Sequence, residues 1–315
     1  MVTVLSCVVA VISSTSSEAL AQRRKRGATT ETAAAAPAQA AAKTITVRTE
    51  PKALVWLDEV RRGAADDAGQ LVINNVSPGR HTLRVRATNF QERTVGLLPA
   101  QRGTVEVRLT RTTNEAEILF QRAEDAREGR TGSDGTREDA AELYRRALAL
   151  RPRFPAAHVG LARVLLTQDD HDGALEQIEE ARRDRPSYAE ASAVEGRILR
   201  EMGDRDAAVR SYQRSIRESR GAQPEAHTGL GIVLEDKGDY EGAVAAFSKA
   251  IGQLGDTEPV LYQLIGAAYE RIEKYKEALA AYEKYLELAP DGRHASAIRS
   301  IIDQLRQQAA DQPNP

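Results

Sequence analysis

An alanine recurs at an almost constant interval through the second half of the sequence. Successive alanines are 34, 34, 35 and 35 residues apart, at Ala140, Ala174, Ala208, Ala243 and Ala278. An aromatic or aliphatic residue follows each by four positions, at Tyr144, Ile178, Tyr212, Phe247 and Tyr282. A spacing of four places both residues on one face of a helix. The period near 34 therefore predicts a solenoid built from two-helix repeats.

Small residues and prolines mark the same repeats. Twelve positions before the later alanines stand the small residues Ala162, Gly196, Gly231 and Gly266, which predict where the two helices of a pair approach closely. Prolines that are expected to end second helices stand at Pro152, Pro186 and Pro290. The following segment, 291–309, is predicted to form the capping helix that a solenoid end requires.

Several further positions recur in phase with the alanines. They include Leu230-Gly231 with Leu234, Asp239-Tyr240-Glu241-Gly242-Ala243 with Phe247 and Ala250, and Gly266 with Tyr269, Ala278, Tyr282 and Pro290. In these motifs residues 114–290 resemble five repeats of the tetratricopeptide repeat (TPR) family. The resemblance implies an all-α superhelical solenoid that binds proteins. The sequence departs from the family pattern in a glycine-rich insertion at 129–135 and at Tyr285, where a small residue is usual.

Residues 44–110 carry a different pattern. Apolar and polar residues alternate at 44–48, 53–58, 82–87 and 104–110, with turn residues between them. This alternation predicts a small antiparallel β-sandwich. The strings VRTEPKALVWLD at 47–58 and VSPGRHTLRV at 76–85 are similar to the PEGA domain, although Lys52 stands where that family has glycine. The resemblance implies an exported or envelope protein in which this module has an accessory, non-catalytic role.

The first residues predict export. An apolar run at 2–12, followed by Ala19-Leu20-Ala21, is typical of a signal peptide over 1–21 with cleavage before Gln22. Two features argue against it, because no basic residue precedes the run and four basic residues follow the cut at 23–26. We expect a periplasmic or envelope location, with a cytoplasmic protein that keeps Met1 as the alternative. The basic, alanine-rich segment 22–43 is interpreted as a linker.

The net charge of −2 conceals two oppositely charged regions. Residues 44–113 hold 11 basic and 7 acidic side chains, whereas residues 114–315 hold 28 basic and 37 acidic ones. The basic arm at 23–26 is interpreted as a solvated tail, and binding to an anionic lipid or glycan surface is the alternative. No nucleic-acid partner is expected, and the pattern leaves the oligomeric state open.

No pattern of reactive side chains predicts an enzyme. His158 and His227 occupy equivalent repeat positions, and His171 matches Tyr240, so all three are interpreted as packing residues. The acids at 169–172 lack the spacing of a calcium loop and stand where helix caps belong. We therefore expect a non-catalytic protein without a metal or another cofactor.

The concave face of the solenoid is the predicted binding site. By analogy with the family, four positions in each first helix point into this groove. We select from them a peptide-groove set of eight residues: Arg163, Leu166, Arg197, Arg200, Ile232, Glu235, Gln263 and Glu270. Its three arginines suggest a basic patch for an acidic or carboxylate-ended peptide. The interpretation that we favour over this patch is that the arginines only pair with Glu190 and neighbouring acids on a solvated face, because surface ion pairs are often inert.

Two functions remain open at this point. The favoured one is an adaptor of the bacterial envelope, whose solenoid binds a protein or peptide partner. The alternative is a structural envelope protein, whose β module binds glycan or lipid and whose helices drive self-assembly.

Overall fold

The computed structural model describes residues 43–58, 60–76, 79–129 and 139–311. The predicted signal peptide, its cleavage site and the basic arm lie outside these residues, as does most of the glycine-rich insertion. Within the described part, none of the helices combines the length and the apolar composition that a membrane span requires.

The N-terminal part is a β module of two facing sheets. One sheet has the order β4-β1-β7 and the other the order β3-β2-β5-β6. Apolar side chains from both sheets fill the core between them, among them Val47, Val55, Leu83 and Val85, each fully buried. The strands are β1 (Lys43–Arg48), β2 (Leu54–Leu57), β3 (Val60–Ala64), β4 (Gln70–Val76), β5 (His81–Arg86), β6 (Arg93–Leu97) and β7 (Gly103–Glu106).

The module is not purely antiparallel, which differs from our prediction. β1 and β7 pair in parallel, with Val47 opposite Val105. No hairpin joins them, because β7 follows β6 of the other sheet and the chain crosses between the sheets before β7 pairs with β1. A hairpin would force antiparallel pairing, whereas this crossing leaves the strand direction unconstrained. Alternation also missed β3, β4 and β6, whose residues are mostly polar or exposed.

In the part of the chain that the structure describes, five helix pairs and a final helix follow the β module. The first helices of the pairs are α1 (Glu115–Arg127), α3 (Pro155–Thr167), α5 (Ala189–Glu201), α7 (Pro224–Asp236) and α9 (Val260–Arg271). The second helices are α2 (Ala140–Leu150), α4 (His171–Asp184), α6 (Arg205–Glu218), α8 (Tyr240–Leu254) and α10 (Tyr275–Leu288). The last helix is α11 (Ala295–Asp311), which packs against α10.

Aspartates start four of the second helices. The side chains of Asp139, Asp170, Asp204 and Asp239 each accept a hydrogen bond from a backbone N–H in the first turn of the helix that follows. Such caps satisfy donors that the helix itself leaves unpaired. Asp170 is therefore a helix cap, as its position in the repeat predicts.

Glycines and aromatic rings form the packing layer between the helices of a pair. A Cβ atom added at Gly196, Gly231 or Gly266 would lie 2.5 to 2.8 Å from the ring of Tyr212, Phe247 or Tyr282 on the second helix of the same pair. The repeat therefore requires glycine at the position of the first helix that contacts the aromatic ring of the second helix. Neighbouring first helices also contact one another, from α1·α3 to α7·α9, and together they form what we call the inner face.

The close approach at Gly229 predicts opposite effects for two glycine substitutions. A Cβ at Gly229 in α7 would lie 2.2 Å from the Tyr212 ring, whereas a Cβ at Gly252 in α8 meets nothing within 4 Å. Gly229→Ala is expected to lower the free energy of unfolding by about 1–3 kcal/mol through overpacking. Gly252→Ala is expected to raise it by about 0.5–1 kcal/mol through helix propensity. Urea unfolding of both variants tests this, and equal effects would contradict it.

Candidate functional site

A cleft lies between the β module and the inner face of the solenoid. Its volume is about 970 Å³, at the upper end of the range of about 300–1,000 Å³ typical of ligand sites. One wall is the β3-β2-β5-β6 sheet, and the other wall consists of first helices of the solenoid. Residues that line it include Trp56, Arg84 and Arg86 from the sheet and Arg127, Arg163, Tyr188, Glu190, Arg197 and Glu225 from the helices.

Two neighbouring arginines of β3 tie the module to both ends of this cleft. Arg61 Nη1 donates to Glu128 Oε2 just after α1, at 2.9 Å. Arg62 Nη1 donates to the carbonyl oxygen of Gln253 near the end of α8, at 3.0 Å. Burial lowers the pKa of Arg62, and the nearby Asp58 counteracts this effect. The module therefore spans the cleft from the first to the fourth helix pair.

Glu124 of α1 is the centre of a buried charge cluster beside the cleft. Its carboxylate pairs with Arg86 of β5 at 3.3 Å and with Arg127 at 3.1 Å, and it accepts a hydrogen bond from the hydroxyl of Tyr144. Burial alone would raise the pKa of Glu124, but the two arginines and the Tyr144 hydroxyl lower it to about 2. The carboxylate therefore stays charged and joins the β module to the first helix pair.

The lowered pKa of Glu124 makes its contribution to stability depend on pH. Because the folded pKa of about 2 lies below the ordinary value of 4.5, this contribution is complete above about pH 4.5 and is lost as the pH falls through about 2. The shift corresponds to about 3 kcal/mol. We expect the stability difference between the wild type and Glu124→Gln to be constant from about pH 5 to 7 and to shrink below pH 4. Urea titrations of both proteins at each pH measure it, and a difference that grows on acidification would contradict the assignment.

Arg163, which we predicted in the groove, is held by an internal carboxylate. Its Nη1 and Nη2 donate to the two carboxylate oxygens of Glu225 in α7, at 2.7 and 2.6 Å, and its Nη2 lies 3.5 Å from Glu190 in α5. Burial would lower the pKa of Arg163, but Glu225 and Glu190 raise it above its ordinary value. The bidentate pair links α3 to α7. The contact with Glu190 adds α5, so the first helices of three successive repeats are joined.

The other predicted groove residues have different surroundings. Arg197 Nε lies 3.0 Å from Glu201 Oε1, and Arg200 Nη2 lies 3.7 Å from the same atom. Both arginines and the half-buried Ile232 line the cleft. Together with Arg163, four of the eight selected residues therefore line the cleft.

The remaining four do not line the cleft. Leu166 is 2% exposed and belongs to the core. Glu235 is half-buried, and burial together with Asp236 raises the pKa of its carboxyl group. Glu270 accepts a hydrogen bond from Tyr282, and Gln263 is half-buried. The position of a residue within its repeat therefore does not by itself determine whether its side chain lines the cleft.

The sheet wall contains cleft residues that the sequence reasoning missed. Trp56 is buried although it lies on the face of β2 opposite the sandwich core. The guanidinium carbons of Arg84 and Arg86 lie 4.4 and 5.0 Å from its ring centroid. The alternation of apolar and polar residues in the sequence could have identified this surface, because it places Trp56 and the arginines on the outer face of the sandwich. A tryptophan beside arginines on such a face indicates that the surface is covered.

The histidines of the repeats have packing contacts. The ring nitrogens of His158 contact the carbonyl oxygen of Pro152 and Gln177 Oε1, at 2.9 and 2.8 Å. His227 Nε2 lies 3.2 Å from the carbonyl oxygen of Gly221, and burial lowers the pKa of this ring. Within the described ranges, no cluster of three or more histidine, cysteine or carboxylate side chains is arranged to hold a metal ion.

Family models identify the repeats. Models described as tetratricopeptide repeat match residues 133–198, 194–259 and 260–291, which together span just over half of the 315 residues. The chain belongs to the tetratricopeptide repeat family, and this confirms the repeat prediction. Proteins with these repeats are generally scaffolds for protein interactions and are usually not enzymes. No curated protein sequence matches the chain.

Solved structures share the solenoid fold. PilW, a type IV pilus biogenesis factor, is 16% identical with a TM-score of 0.53, over 64% of this chain and 91% of PilW. PilF of Pseudomonas aeruginosa is 18% identical with a TM-score of 0.51, over 62% of this chain and 87% of PilF. A thermophilic TPR protein of Thermus thermophilus is 24% identical with a TM-score of 0.48, over 61% and 99% of the two chains. At these identities, the similarity of PilW and PilF shows the fold alone.

Proposed function

We propose that this protein is a non-catalytic adaptor that holds a segment of a partner protein in the cleft between its β module and its solenoid. The observation that carries the proposal is the cleft itself, which is about 970 Å³ in volume and has one wall from each module. A concave site with two rigid walls buries more of a bound chain than a single helical face does. The membership of the repeat family supports a protein partner.

Cross-linking at defined positions tests the proposal. In the full chain, a photo-cross-linking amino acid replaces Thr228, which lines the cleft, or Lys249, which is exposed on α8 and serves as the control. We expect the same partner protein to be cross-linked in native cells from position 228 and not from position 249. Equal cross-linking from both positions, or adducts with only a second copy of this chain, would overturn the proposal.

We also propose that the adaptor works at the bacterial cell envelope and that its β module is of the PEGA type. The signal-like start of the sequence and the string VSPGRHTLRV support this location. The two-sheet architecture of the module is compatible with the PEGA resemblance. Mass spectrometry of the protein purified from cell fractions is expected to find an N-terminus at Gln22 in the envelope fraction. An intact Met1 in the cytoplasmic fraction would contradict it.

A further inference from the structure

Two arginines stacked on aromatic rings recur at equivalent repeat positions on the cleft. Arg151 ends α2 and lies over the ring of Phe154, with its guanidinium carbon 4.1 Å from the centroid. Arg185 ends α4 and lies over the ring of Tyr188 at 4.2 Å. Each arginine precedes a proline, and each ring belongs to the residue that starts the next first helix. All four side chains line the cleft.

Stacking prepares these guanidinium groups to bind an anion. The ring covers one face of the guanidinium and restricts its rotation, while the N–H groups at its edge stay available. A planar guanidinium held in this way can grip a carboxylate through two parallel hydrogen bonds. Arg84 stacks on Trp56 at 4.4 Å in the facing sheet, so the opposite wall of the cleft has a similar pair.

The balance of charge around the stacks favours an anionic ligand. Arg185 is exposed and, among the residues that the structure describes, has no carboxylate within salt-bridge distance, while the carboxylate nearest to Arg151 is Glu117, at 3.9 Å. In contrast, the carboxylates on the adjoining inner face are occupied, since Glu190 and Glu225 contact Arg163. The arginines of the two stacks are therefore held less closely by internal carboxylates than Arg163 is.

We propose that the cleft binds an acidic stretch of the partner protein, with carboxylate side chains held by Arg151 and Arg185. This inference rests on the proposed function and adds the chemistry of the partner. Separate carboxylates on a peptide can be placed beside the two arginines and away from Glu190 and Glu225, which line the same cleft. At Arg151 the peptide carboxylate would compete with Glu117, which lies 3.9 Å away. A nucleic acid fits less well, because its unbroken row of phosphates would lie against these acids.

Trp56 provides a direct readout of binding. It is the only tryptophan of the chain and lines the cleft, so a change in tryptophan fluorescence reports on this site. The probe is a decapeptide of alternating Glu and Gly, compared with its Gln–Gly and Lys–Gly counterparts and with a ten-nucleotide oligo-dT. We expect the Glu–Gly peptide to change the fluorescence in a saturable way and to bind at least about tenfold more tightly than the Gln–Gly peptide.

Substitution of the stacked arginines separates their role from general electrostatics. In the full chain, Arg151→Gln/Arg185→Gln is expected to weaken binding of the Glu–Gly peptide about tenfold or more, and Arg151→Lys/Arg185→Lys to weaken it less, because lysine keeps the charge without the planar fork. Arg183→Gln is the matched control, since Arg183 is an exposed residue of α4 that pairs with Glu180 outside the cleft. Its affinity is expected to equal that of the wild type. Thermal melts of all variants verify that they fold.

Every other outcome overturns the proposal, and each leads to a different conclusion about the cleft. Equal binding of the Glu–Gly and Gln–Gly peptides, or wild-type affinity in the double glutamine variant, removes the role of the stacked arginines. Tighter binding of the Lys–Gly peptide or of oligo-dT assigns the cleft to a different ligand. In these cases partner capture through position 228 still supports the adaptor function, whereas the loss of both peptide binding and capture contradicts the adaptor function as well.

Discussion

Glu124→Ala is expected to lower the free energy of unfolding by about 3–5 kcal/mol, as the loss of one member of a buried charge cluster does. The substitution leaves Arg86 and Arg127 without the carboxylate that both contact, and it leaves the hydroxyl of Tyr144 without its acceptor. Arg86 is only 7% exposed, so water can replace little of the lost interaction. Since Arg86 belongs to β5, the contact between the β module and α1 is weakened at the same time.

Urea unfolding followed by circular dichroism measures this effect, and Glu142→Ala is the matched control. Glu142 also belongs to a helix of the first pair, but it is exposed and lies 4.0 Å from Arg145. Its removal is expected to change stability by less than about 0.5 kcal/mol. Limited proteolysis between β7 and α1 is expected to become faster in Glu124→Ala only. Equal stability of the two variants would contradict the assignment of Glu124 to the core of the interface.

Arg163→Met is expected to cost about 1.5–3 kcal/mol, because it removes two charge-assisted hydrogen bonds and leaves Glu225, whose side chain is 37% exposed, without its partner. The two side chains are 62 residues apart in sequence and form a bidentate pair between α3 and α7. The double variant Arg163→Met/Glu225→Met removes both charges and is expected to recover most of the loss. Urea unfolding of the two single variants and the double variant gives the coupling free energy between the residues.

The control for this cycle is the pair Arg197→Met and Glu201→Met. Arg197 and Glu201 are one helical turn apart on α5, and their contact is a single hydrogen bond and not a bidentate pair. A coupling free energy of only about 0.3–0.5 kcal/mol is expected for such a pair. If the coupling of Arg163 and Glu225 were equally small, the pair would not hold the inner face together.

Because Arg163 is paired with Glu225, a substitution at Arg163 cannot by itself show that this residue binds a partner. A charge reversal at Arg163 would place a carboxylate against Glu225 and Glu190 and would destabilise the solenoid, so loss of a partner would not identify a binding residue. Arg151 and Arg185 lie at exposed helix ends, and among the described residues only Arg151 has an ion pair to lose, the 3.9 Å contact with Glu117. Their substitution therefore separates binding from folding.

Local and periodic interactions explain the parts of the structure that the sequence predicted. The phase of the alanines places Ala174, Ala208, Ala243 and Ala278 in fully buried positions of the second helices. The glycines twelve residues earlier meet the aromatic rings of the same helix pair, as at Gly231 and Phe247. Each of these contacts repeats with the period of the chain, so several copies of one signal support each prediction.

By itself the sequence determined that this chain builds a solenoid of two-helix repeats after a small β module, because those patterns lie within about 35 residues of chain. Only the tertiary structure decided which charged side chains form ion pairs and which residues line the cleft. The pairing of Arg163 with Glu225 spans 62 residues, and the contact of Arg62 with Gln253 spans 191. Such contacts depend on how the repeats stack and on how the β module docks, and no local pattern of side chains encodes either.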